Sequence, residues 1–191
     1  MKLLKPILIG ALAAGVLDLA YAYTHFWLIL GRDPLGVTQG IASGLIGGKA
    51  ASDGGVATAV LGFVLEFVLT AIMAAVYVIA AGWMTDLQKY WWVLGPCYGA
   101  CVMLVMYYVV LPLSAAHGNG YLPDGRIIIA NCAPITEGTL GIGSCKGTDH
   151  QLLWGTIFAH TVMVGLPIGA AARFFWPRKD DVTPDSLKTL H

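Results

Sequence analysis

Three ionisable side chains stand in the middle of long apolar stretches: Asp18, Glu66 and His160. At the helical rise per residue, Asp18 lies roughly 18 Å below the outer end of its stretch, Glu66 roughly 15 Å below Val56 and His160 roughly 14 Å below Gln151. Those depths put all three in one layer near the centre of a bilayer whose hydrocarbon core is about 30 Å thick. Tyr107 and Tyr108, in the third stretch, reach a comparable or somewhat shallower depth. Two carboxyls, an imidazole and phenols can relay protons or hold a cation, and they can also form a satisfied polar layer that fixes helix register. A charge facing hydrocarbon is costly under either reading, so the three side chains are expected to converge on the interior.

A second set is superficial. His25, His117 and His150, with Asp149 beside the last, fall near the outer ends of their stretches, where imidazoles could bind a metal ion or one axial position of a haem. Plain interfacial histidines are the competing reading. No Glu-x-x-His or His-x3-His spacing strengthens a metal centre, and no nucleophile elbow surrounds Ser114 and His117, so enzymatic activity has no motif behind it. Cys132 and Cys145 share an outer connection, where a disulfide would close a short loop worth about 3 kcal/mol in the chain-entropy model. Cys97 and Cys101, one helical turn apart, read as small packing residues rather than a redox pair.

Four apolar stretches must position these groups, at about 6–31, 56–84, 91–116 and 151–176. With 57% hydrophobic and only 12% charged residues, the chain departs from soluble composition. Eleven Lys+Arg balance eleven Asp+Glu, and no basic block appears, which excludes a nucleic-acid partner. Lys2 and Lys5 ahead of the first run, with Ala20-Tyr21-Ala22 within it, have the pattern of a secretory signal. Asp18 inside the run, and its continuation to Leu30, favour a span. Lys2, Lys5, Lys89, Arg173, Arg178, Lys179 and Lys188 on one side outnumber Arg32, Lys49, Arg126 and Lys146 on the other, which predicts cytoplasmic termini. Trp27 near one face, and Trp83, Trp91, Trp92 and Trp176 near the other, fit interfacial belts.

The expected architecture is all-α: a four-helix transmembrane bundle in one domain, 1–176, with a mobile cytoplasmic tail at 177–191. Between the first two spans, glycines at 36, 40, 44 and 48 run beside Val37, Ile41 and Leu45 at a step of four. This pattern predicts a short interfacial or re-entrant helix at about 34–52, with Gly40, Gly44 and Gly48 pressed against the bundle. Gly95/Gly99, Gly165/Gly169 and Gly10/Ala14 read as close-packing pairs inside it. Pro96, Pro112 and Pro167 interrupt the last two spans. The outer connection 117–150, with turn signals and Ile127-Ile128-Ile129, reads as a small hairpin.

The segments Gln39-Gly40-Ile41-Ala42-Ser43-Gly44, Thr58-Ala59-Val60-Leu61-Gly62, Val109-Val110-Leu111-Pro112-Leu113-Ser114-Ala115 and Val164-Gly165-Leu166-Pro167-Ile168 resemble a family of small, uncharacterised bacterial inner-membrane proteins with four hydrophobic spans. The resemblance implies a bacterial inner-membrane location and brings no activity with it. Glu66 departs from that pattern, in which histidine is often found. Three functions compete: an accessory subunit docking a larger complex, or a second copy, through glycine-rich surfaces and outer loops; a small transporter or proton or cation channel using the midplane layer; and a haem- or metal-binding redox protein.

Overall fold

The computed structural model of the chain describes residues 3–25, 27–28, 33–116 and 149–176. Among them it is helical, without strand. α1 is Leu4–His25, α2 Leu35–Ile46, α3 Gly48–Asp53, α4 Gly55–Trp83 and α5 the short Thr85–Lys89. α6 is Trp91–Leu113, and α7 begins as Asp149–Phe158 and closes as Leu166–Phe174. Four helices, Leu4–His25, Gly55–Trp83, Trp91–Leu113 and Trp154–Phe174, are long and apolar enough to cross a membrane. The expected hairpin, the Cys132–Cys145 disulfide and the tail all lie outside the described residues.

Side chains sort in the sense that hydrocarbon, not water, rewards. α4 turns Val60, Val64, Val68, Ile72 and Val76 outward and buries Ala59, Gly62, Glu66, Thr70 and Ala74. In water a helix hides its large apolar face; here that face is the exposed one. α1 repeats the pattern, with Leu4, Leu8, Leu12 and Val16 outward at steps of four and Gly10, Ala11, Ala14 and Gly15 buried. Without a hydrophobic drive to hide large side chains, helices associate through small residues that admit close backbones. Exposed tryptophans mark both ends: Trp27 and Trp154 at one, Trp83 and Trp92 at the other. Cys97 and Cys101 are also exposed, so they do not fill an interior as their small size suggested.

α7 packs against both α1 and α6 and touches α4, while α4 packs against α1 and carries α2 on its first turns. At the α6–α7 contact a methyl group on Gly99 would overlap the carbonyl oxygen of His160, and one on Gly165 that of Gly95. Methyls on Gly95 and Gly169 would come within 2.7 Å of Gly165 O and 2.9 Å of Trp91 O. These four glycines therefore set the separation of the two helices.

The helix expected at 34–52 is in fact two. It breaks at Gly47, whose φ of +85° suits glycine alone, and α3 restarts at Gly48, which is buried. The glycine ridge on α2 does not make the contact predicted for it. A methyl on Gly40 would meet nothing within 4 Å, and one on Gly44 only Ser114 at 3.9 Å. α2 instead buries Val37, Thr38, Ala42 and Ser43, and the close approach is granted by Gly62 on α4, where a methyl would overlap the Thr38 backbone. Periodicity located an apolar helix but could not say which helix of a pair supplies the small residue.

In both later spans the turn ahead of a proline is widened. Met106–Val110 precedes Leu111-Pro112, and Ala159–Gly165 precedes Leu166-Pro167, each as a π-turn. Proline offers no N–H and its ring crowds the carbonyl four residues back, and an i→i+5 turn accommodates both. Such turns concentrate at functional sites. Here they carry Tyr107 and His160.

Candidate functional site

Asp18 from α1, Glu66 from α4 and His160 from α7 are brought together, and Glu66 keeps only 7% of its surface exposed. The Asp18 and Glu66 carboxyl groups lie close enough to interact directly, and Asp18 is also within electrostatic range of the His160 imidazole. Ionised carboxylates only accept, so a hydrogen bond between two of them requires that one carry a proton. Two such acids act as a single titrating unit. A proton gained or lost by the acid pair changes the charge of the layer by one unit.

Local folding explains the placement. Glu66 lies one turn from Gly62, so the α4 face that receives α2 continues into the acid pair. Thr70, a turn further on, donates its hydroxyl to the Glu66 carbonyl at 3.0 Å and leaves the carboxyl free. On α1, Gly15 lets Phe67 and Thr70 of α4 come within 2.9 and 3.2 Å of where a methyl would stand, which draws the two helices together beside Asp18. His160 Nδ1 lies 3.0 Å from the Thr156 carbonyl. Because a carbonyl only accepts, Nδ1 carries the hydrogen, and Nε2 is the nitrogen left for exchange.

Tyr107 approaches Thr156 and lies within electrostatic range of Asp18. Tyr108 does not join the layer: it is 64% exposed. Neighbouring residues on a helix point about 100° apart, so only one of two consecutive tyrosines can face inward.

Among the histidines proposed for metal, His25 is placed and the others are not: His117 and the side chain of His150 lie outside the described residues. The His25 ring sits against Gly155 of α7, where a methyl would stand 2.5 Å from its Cε1, and its Nδ1 is 3.4 Å from Tyr21 Oη. Tyr21 packs at 5.2 Å from the Phe158 ring and lies within electrostatic range of Asp18. Among the described residues no group of three or more His, Cys, Asp or Glu could hold a metal ion.

Sequence reasoning missed Tyr21, Gly62 and Gly155. The first had a signal: Asp18, Tyr21 and His25 stand at i, i+3 and i+7, one helical face.

On the surface outside this layer, Lys49 Nζ meets Asp53 at 2.8 Å across one turn of α3. The carboxylate holds that ammonium above the ordinary lysine value, but both groups are solvent-exposed and the pair adds little to stability.

Compared with protein-family models, curated proteins and solved structures, the chain matches none.

Proposed function

We propose that the chain is a four-span bundle of the bacterial inner membrane that carries protons through the Asp18–Glu66–His160 site, as a small proton channel or proton-coupled transporter. One observation supports this above the rest: two carboxyl groups close enough to interact directly, inside helices whose outer faces are apolar. A layer whose only task is register needs hydrogen bonds, and amides supply them without the desolvation cost of ionisable groups. Paired acids facing an imidazole add what amides lack, the ability to take up and release a proton.

The test is potential-driven proton flux into vesicles containing the purified full chain. Wild-type protein is expected to acidify the vesicle lumen, and Glu66→Gln, which keeps volume and a hydrogen-bonding end, is expected to stop the flux with helix content unchanged. Vesicles no more permeable than empty ones would overturn the reading. Sodium flux in place of proton flux would assign the site to a cation instead.

The lysine and arginine distribution gives the proposed orientation, termini in the cytoplasm with α2 and α3 on the opposite side. Reporter fusions after Asp53 should then read as outside and after Asp86 as inside. The reverse result would invert the topology.

A second reading, an accessory subunit, has its own observation. Gly36 and Gly40 present open space on α2, with Leu35 and Leu45 exposed on the same helix. Copurification of a fixed partner that is lost on Gly40→Leu would favour it.

A further inference from the structure

We propose that protons reach the Asp18–Glu66 pair from one end only, along Tyr21 and His25 of α1. The inference rests on the proton-carrying reading above and adds the route and its direction. Along α1, Asp18, Tyr21 and His25 form one face, with Tyr21 Oη 3.4 Å from His25 Nδ1 and the two ring centroids 5.5 Å apart. His25 is the last residue of the helix, at the end where Trp27 and Trp154 are exposed. Its ring is held in line by α7, because Gly155 leaves room for it and any larger residue would not.

Among the described residues, packing fills the other direction. Beyond Glu66 the interior is filled by Ala11, Ala14, Ala74, Val164 and Ile168, with Tyr77 and Val78 behind them. The hydroxyls met there, on Tyr77 and Tyr98, already donate to the carbonyls of Leu87 at 2.9 Å and Met73 at 2.8 Å. The groups that interact electrostatically with Asp18 are Glu66 on α4, His160 on α7, Tyr107 on α6 and Tyr21 on α1, and Tyr21 lies on the α1 face that runs to a helix end at His25.

The step balances without a co-reactant. His25, protonated from the aqueous side, gives an N–H proton to the Tyr21 oxygen as the Tyr21 O–H proton leaves toward the acid pair, whose Asp18 stands one helical turn away on the same face. The phenol is regenerated, and one proton has moved inward. Asp, Glu and His side chains form intramembrane proton relays in pumps and transporters, and here a phenol links a histidine to two acids.

Deuterium exchange of the shared carboxyl proton, followed by infrared spectroscopy on the full chain in lipid vesicles, tests the route. The carboxyl band is assigned by its loss in Asp18→Asn. Tyr21→Phe removes one hydroxyl and keeps the ring against Phe158, so the band should persist while its exchange slows on the order of a hundredfold, the lower end of what a positioned proton-transfer group contributes. Gly155→Ala, which displaces the His25 ring, should slow it as well. Exchange as fast as wild type in Tyr21→Phe would overturn the route and leave the shared proton standing. Absence of any carboxyl band sensitive to Asp18→Asn would overturn the proton-carrying reading itself. The amide bands of the same spectra report whether each variant is folded.

Discussion

Gly99→Ala is expected to destabilise the protein by about 3 kcal/mol, whereas Gly40→Ala should leave it unchanged or raise stability by less than about 1 kcal/mol. The added methyl at 99 overlaps the His160 carbonyl, which belongs to a helix backbone and cannot swing aside as a side chain would. α6 and α7 must separate, and every contact between Gly95 and Gly169 loosens with them. At 40 the methyl meets open space, and alanine is simply the better helix former. Unfolding of both variants in the same detergent or lipid measures the contrast. The functional readout should follow, because the helix pushed away at 99 carries His160.

That contrast also shows where sequence reasoning stops. Both positions belong to glycine series at a step of four, and on that ground both read as packing residues. Spacing reports which residues share a helix face; it does not report which face another helix meets. On α6 and α7 the two glycine pairs face each other. On α2 the ridge faces away, and the contact is granted by Gly62, a single glycine with no periodic partner around it. The number of apolar helices was more legible than their contacts. Counting residues from span ends placed Asp18, Glu66 and His160 at one level, and the number and approximate ends of the four apolar helices followed from hydropathy. The break at Gly47 and the widened turns before Pro112 and Pro167 were not legible as such. A glycine among many glycines does not announce a positive φ, and a proline signals an interruption without saying how the backbone absorbs it. Tyr108 fell out of the layer because helical phase separates it from Tyr107, which depth alone ignores.

Asp18→Leu alone is expected to destabilise by about 3 kcal/mol, and the double variant Asp18→Leu/Glu66→Met should recover most of that loss. The physical reason is an asymmetry. Removing one carboxyl leaves the other buried with its hydrogen-bonding capacity unmet, and the protein bears that desolvation cost without compensation. Removing both replaces a polar pair by apolar groups of similar size in a site already lined by apolar helices. His160 keeps its Nδ1 hydrogen bond to the Thr156 carbonyl at 3.0 Å in every variant, and any loss at its Nε2 is common to Asp18→Leu and the double variant. The measurement is thermal or denaturant unfolding of the four proteins of the cycle, with a favourable coupling between the two substitutions as its signature. Equal and additive losses would mean that the two carboxyls do not depend on each other. A stable double variant without activity would also separate fold from function, because the pair would then be kept for its proton rather than for its contribution to packing.

The most direct measurement is potential-driven proton flux in vesicles bearing wild-type protein, Asp18→Asn, Glu66→Gln and the double Asp18→Asn/Glu66→Gln variant. If one proton is shared by the two carboxyls, as proposed, each single amide should silence transport as completely as the double, with all three proteins folded. Partial flux in each single variant, combining independently in the double, would contradict a shared site, and flux that persists in the double variant would remove the acid pair from the protein's function.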